Sequence, residues 1–210
     1  MRFAPITLAL GAAAALSASA AAQSYGWDID VASPTLGPVG SGLPQATLIT
    51  IKAKFDATSD YAFAAGLFDL VAGESGTAGV NWKTNTLLSP FDATGTFAGT
   101  LAADGATGVK PGQIHFPLAS IIGDSSNPAP VWTITYAATD FTPRSISLAT
   151  VTDPGSKGFS VYDSATTGAS HQIPLSSLVE GSGKITIVPG PAPLTLLALG
   201  ALCAGARRRS

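Results

Sequence analysis

The chain has no means of cross-linking its own body. Its single cysteine, Cys203, lies near the C-terminus inside an apolar run, so the body's stability has to come from packing rather than from disulfides. Histidine is almost as scarce. His115 sits in an apolar stretch beside Phe116, and His171 in a Gly/Ser/Thr-rich stretch. Neither has the partner spacing of a zinc site, and no cysteine assists. No metal and no cofactor is expected. Nucleophilic catalysis is also without a signature, since the body contains no Gly-x-Ser-x-Gly. Charge is sparse, at 11% of residues. Residues 23–188 hold seven basic and thirteen acidic side chains, a balance of −6. With no basic stripe and a negative balance, nucleic acid is excluded as an expected partner.

The two ends are rich in what the body lacks. Arg2 is the only charge before Asp28, and residues 4–22 are small and apolar. They close on Ala20, Ala21 and Ala22, the small-residue pattern that a signal peptidase pocket accepts. Cleavage is expected after Ala22, leaving Gln23 as the mature start, with the Sec machinery and signal peptidase as partners. At the other end, Val188, Pro189, Gly190, Pro191 and Ala192 lead into an apolar run, which ends at Arg207, Arg208 and Arg209. As a helix, residues 192–206 would run about 20 Å at roughly 1.5 Å per residue. A hydrocarbon core is about 30 Å thick, so the span is marginal without local thinning. Three arginines are costly to translocate and should stay cytoplasmic, leaving the body outside. Pro189, Pro191 and Pro193 keep the approach to the membrane extended.

Motif, apolar helix and basic cluster, in that order, resemble the PEP-CTERM sorting signal of Gram-negative bacteria. The family's Pro-Glu-Pro position is taken here by Pro189-Gly190-Pro191, with glycine in place of the usual glutamate. The resemblance covers about the last two dozen residues. It implies an exosortase-like membrane protease as partner and a membrane association through the C-terminal helix, transient or permanent. Delivery to the cell envelope or the extracellular matrix would follow. Proteins of that family are associated with exopolysaccharide production.

Between the two signals, residues 23–188 read as one domain. Residues 47–55 alternate cleanly: Ile49, Ile51, Ala53 and Phe55 on one side, Thr50, Lys52 and Lys54 on the other, the pattern of a half-buried strand. A second strand begins at Tyr61, and its apolar phase slips at Gly66, which predicts a bulge there. Further strands are expected at 80–88, 95–101, 113–118, 131–137, 145–151, 158–163 and 184–188. Turn signals such as Ala103-Asp104-Gly105 and Asp153-Pro154-Gly155 separate several of them. A short helix is expected only at 175–180 or near 118–122. Residues 33–44, rich in Gly and Pro, read as an irregular lead-in. The fold class expected is all-β: a single antiparallel β-sandwich, loosely similar to cohesin-like or jelly-roll-like folds, flanked by an N-terminal signal helix and a C-terminal hydrophobic helix. The domain limits are then 1–22, 23–188 and 189–210.

The body offers few candidates for a ligand site. Asp28 with Asp30 and Asp56 with Asp60 are the closest carboxylate pairs. The first lacks the further oxygen ligands of a calcium loop. The second brackets a turn, where solvated aspartates are expected for backbone reasons. Trp132 and Tyr136 alternate with apolar neighbours and read as core. Trp82, between Asn81 and Lys83, is the candidate for stacking on a sugar ring. The expected function is that of an exported, surface-anchored or matrix-associated non-enzymatic protein. The alternatives are a surface-tethered module that binds polysaccharide through Trp82 and a secreted hydrolase using aspartates.

Overall fold

Strands form where apolar and polar residues alternate and where Gly, Pro and Asp clusters let the chain turn. The computed structural model describes residues 24–114, 123–153 and 158–190. Among these, the strands in chain order are β1 (Tyr25–Val31), β2 (Thr35–Leu36), β3 (Ala46–Lys54), β4 (Ala62–Gly66), β5 (Phe68–Ala72), β6 (Trp82–Leu87) and β7 (Thr100–Ala102). Then come β8 (Gly105–Val109), β9 (Ala129–Ala137), β10 (Arg144–Thr152), β11 (Phe159–Tyr162), β12 (Ser170–Gln172), β13 (Leu178–Val179) and β14 (Ser182–Ile187). The helical content of the described residues is one 3-10 turn, Leu175–Ser177.

The strands assemble into three sheets. One has the order β13-β1-β3-β9-β6, a second β2-β14-β10-β5-β8-β7 and a third β12-β11-β4. The first two bury their facing sides in one core, Trp27, Ile49, Ile51, Trp132 and Ile134 from one sheet meeting Phe68, Leu70, Ile146, Leu148 and Ile185 from the other. β3 shows the cause in miniature: Thr47, Ile49, Ile51 and Ala53 are buried while the residues between them are not. Each such aliphatic or aromatic side chain taken from water contributes about 1.5–3 kcal/mol. The register between β3 and β9 shifts after Ile51, with Ile51 opposite Trp132 and Lys52 opposite Pro130. Val131 is therefore the extra residue of a bulge, and both Val131 and Trp132 are buried.

The all-β expectation holds, but the sheets are mixed rather than antiparallel. β1 pairs parallel with β13, and β14 pairs parallel with β2. Both parallel partners are two residues long, too short to leave a periodic signal. The first pairing requires glycine. Gly26 has φ +144°, and a Cβ there would lie 2.0 Å from the carbonyl oxygen of Val179. The lead-in at 33–44 is also more ordered than expected, since it holds β2 with Leu36 fully buried.

The phase slip expected at Gly66 comes from a bulge two residues earlier: Phe63 lies opposite Val161 and Ala65 opposite Ser160, leaving Ala64 as the extra residue of β4. The chain leaves the three-stranded sheet at Gly66 and enters the six-stranded one at Phe68. A Cβ at Gly66 would stand 2.6 Å from the Trp27 ring, so close packing sets the residue type. Of the stretch expected as a strand at 113–118, Gln113 and Ile114 are in no strand, and the rest lies outside the described residues. The expected strand at 95–101 shrinks to β7. Among the described residues no helix is long and apolar enough to cross a membrane. The expected signal helix and C-terminal helix, with Ala22, Gln23, Pro191, Ala192 and Arg207 to Arg209, lie outside the described residues.

Candidate functional site

The expected ligand face rests on Trp82. Trp82 is fully buried, and its indole N–H donates to the Ala103 carbonyl at 3.0 Å. Its ring packs on Tyr136 with centroids 4.9 Å apart. The expected surface role of Trp82 is therefore corrected: Lys83 faces outward, Asn81 is buried and donates to the Ala137 carbonyl at 3.0 Å, and the indole itself faces inward. Trp27 donates to Thr152 Oγ1 at 3.0 Å and Trp132 to the Ala98 carbonyl at 2.9 Å. All three tryptophans thus fill the core with their one polar atom satisfied.

The carboxylate pairs part company. Asp28 and Asp30 point outward from β1, and Asp30 pairs with Lys52 at 2.7 Å. Asp56 turns back on its own loop, where Oδ1 accepts from the Thr58 amide at 2.9 Å and from the Thr58 hydroxyl at 2.7 Å. These bonds, the hydroxyl's first, hold the Asp56 carboxyl below its ordinary value. Asp60 is not the solvated turn aspartate expected. Its side chain is 3% exposed.

Asp60 meets Asp163 and His171 at the end of the three-stranded sheet. β11 and β12 pair with Val161 opposite His171 and Tyr162 opposite Ser170. Asp163 lies two residues beyond Val161, and the strand alternation brings it to the same face as His171. The Asp163 amide donates to the Ala169 carbonyl at 3.0 Å, closing the intervening loop. Across the sheet, the Tyr61 amide donates to the Tyr162 carbonyl at 2.8 Å, which sets Asp60 beside Asp163.

Each member of this corner has a defined contact. His171 Nδ1 forms a short hydrogen bond with Asp163 Oδ1. His171 Nε2 faces Asp60 Oδ1 at 3.7 Å, beyond hydrogen-bond reach. Asp60 Oδ2 accepts from the Tyr25 hydroxyl and from Ser59 Oγ at 3.0 Å. Burial, and then the bond to Asp60, pushes the Tyr25 phenol above its ordinary value. One ligand atom from each of Asp60, Asp163 and His171 lies within 4.8 Å of the other two. Two carboxylates and an imidazole are the donor set of a divalent cation, and equally of a protonated histidine clamped between acids. His115, the other histidine, lies outside the described residues.

The motif at the C-terminal edge is described in part. The Val188 amide donates to the Leu36 carbonyl at 2.9 Å, tying the chain to β2. Pro189 is exposed immediately after it. An open cleft of about 340 Å³ lies near the opposite limit of the described body, lined by Ser24, Lys54, Phe55, Ala57, Asn127 and Pro128. No protein-family model matches the chain, and no curated protein matches it.

Proposed function

We propose that the chain is an exported, non-enzymatic protein of the cell envelope or extracellular matrix, sorted by an exosortase-type membrane protease. In this reading the body is a β-sandwich of cohesin-like or jelly-roll-like class. The first 22 residues are a signal peptide. The tail is a sorting signal that holds the protein at the membrane through its apolar helix, transiently or permanently.

The observation that carries this reading is the order of features at the C-terminus: Pro189-Gly190-Pro191, an apolar run and Arg207 to Arg209. The fold supports it. The described strands begin at Tyr25 and end at Ile187, inside the limits set by the two terminal signals. The last backbone anchor is the Val188 amide, and Pro189 beyond it is exposed. A processing protease needs such an accessible extended strip. The partners proposed are the Sec machinery, signal peptidase, the exosortase-like protease and the membrane. The sugar-stacking alternative loses its residue with the burial of Trp82.

Mass spectrometry of the protein recovered from the cell that makes it tests the proposal. The expected mature form starts at Gln23 and ends near Pro191. A surface-located form that keeps Arg207 to Arg209 overturns processing of the tail. A cytosolic form that keeps residues 1–22 overturns export as well.

A further inference from the structure

We propose that Asp60, Asp163 and His171 form a binding site for one divalent transition-metal ion of the zinc type. The ion bridges Asp60 Oδ1 and His171 Nε2, and Asp163 orients the imidazole.

Within Asp60, one carboxylate oxygen is hydrogen-bonded and the other is not. Asp60 is nearly sealed from solvent, at 3% exposure. Its Oδ2 is satisfied by Tyr25 and Ser59. Its Oδ1 accepts no hydrogen bond among the described residues and faces the His171 ring. A buried carboxylate with one bare oxygen is costly unless a cation meets it. The gap has the right width. Two bonds of about 2.0–2.2 Å at a tetrahedral angle place the donor atoms about 3.4 Å apart. The observed separation of Asp60 Oδ1 and His171 Nε2 is 3.7 Å, which a rotamer adjustment of the half-exposed histidine closes.

The remaining contact fits the same assignment. Asp163 holds His171 Nδ1, leaving the Nε2 lone pair directed at Asp60. A carboxylate on the far nitrogen is the usual outer-shell partner of a metal-bound histidine, since it fixes both tautomer and ring direction. Water would fill the other positions. The donor set selects the metal class. Calcium takes six to eight oxygens at longer distances, whereas an imidazole with a carboxylate suits zinc and its neighbours. A bound ion would staple the approach to β4, the end of β11 and β12, three segments that meet at one end of a small sheet.

The test uses the full-length chain, stripped with a chelator and titrated with zinc chloride in a calorimeter, with thermal unfolding followed in parallel. The expected result is one ion per chain at this corner and a rise in Tm that the chelator reverses. His171→Gln, at a ring 48% exposed, should keep the fold by circular dichroism and lose the binding. Asp163→Asn should weaken it by about 10–100-fold. Cobalt(II) in place of zinc should give a visible absorption band that His171→Gln abolishes. Three results overturn the proposal: no zinc uptake by the wild-type chain, uptake unchanged in His171→Gln, or calcium taken up as tightly as zinc. Asp60→Asn is the less decisive variant, because the buried carboxylate also anchors Tyr25.

Discussion

β4 and β11 have an apolar stretch and a polar end. In the apolar stretch, Phe63 and Phe159 stand 5.0 Å apart and both meet the Trp27 ring, at 5.6 and 5.0 Å. At the other end, within a few residues, the same two chain segments present Asp60, Asp163 and the adjoining His171. The apolar stretch is dry and held by contact area. The end is held by individual polar bonds, each to a named atom. The first kind of region is sensitive to volume and indifferent to pH. The second is sensitive to pH and to single donors. A strand pair only a few residues long can serve both because its side chains alternate and its ends leave the core.

The largest effect is expected where area counts most. Trp27 touches Phe63, Phe68 and Phe159 and donates to Thr152. Trp27→Ala should cost about 3–5 kcal/mol in denaturant unfolding. A loss below about 1 kcal/mol would show that the ring is not packed as described. Gly66→Ala comes next. The added methyl would meet the same indole at 2.6 Å, and overpacking of this kind costs about 1–3 kcal/mol. The double variant Trp27→Ala/Gly66→Ala should recover part of that second loss, because the clash is removed with the ring.

Tyr25→Phe probes the polar end. It removes one of the donors to Asp60 Oδ2, and a hydrogen bond to a charged group contributes about 1.5–3 kcal/mol. It also changes the alkaline limb of stability. The folded-state phenol of Tyr25 is raised above its ordinary value, first by burial and then by the bond to Asp60. A raised acid favours the folded state below the unfolded value, and that contribution is lost as pH rises through the folded one. Stability should therefore fall above about pH 10, and less steeply in Tyr25→Phe. Tyr136, raised chiefly by burial, should keep part of the limb in the variant. On the acid side the sign reverses. Asp56 and Asp140 lie below the ordinary aspartate value, held by bonds from Thr58 and Thr142. Their contribution is present above that value and disappears as pH falls through the lowered ones.

The dry stretch was legible in the sequence and the polar end was not, for a physical reason. Alternation over 47–55 marks β3 because each buried residue is two positions from the next. The same rule applies to Trp27, Asp28, Ile29 and Asp30, whose alternation marks β1 and turns both aspartates outward. Trp82 reads as exposed because Asn81 and Lys83 flank it, whereas Lys83 alone faces outward and Asn81 is itself buried, its amide donating to the Ala137 carbonyl. β2 and β13 are too short to show a period. The Asp163–His171 half of the corner had a faint local signal. Eight residues with Gly168 between them fit a hairpin that brings its ends together. Asp60 had none, since its approach depends on the pairing of β4 with β11 across about a hundred residues.

The smallest effect is expected at Lys52, and it sharpens the comparison from the surface. Lys52 and Asp30 pair at 2.7 Å across β3 and β1, with side chains 28% and 56% exposed. The separation is shorter than the 3.7 Å between His171 and Asp60, but solvent surrounds it. Water and salt screen the attraction, and ordering two side chains offsets much of what remains. Lys52→Ala should therefore change stability by less than about 0.5 kcal/mol in urea, and 0.5 M sodium chloride should shrink even that. The Lys52 side chain is only 28% exposed, so Lys52→Gln separates the charge from the burial of the stem. If the glutamine variant lost as much as Tyr25→Phe, exposure would not be what divides weak polar contacts from strong ones here. The contrast between the two polar regions would then have to be sought in geometry alone.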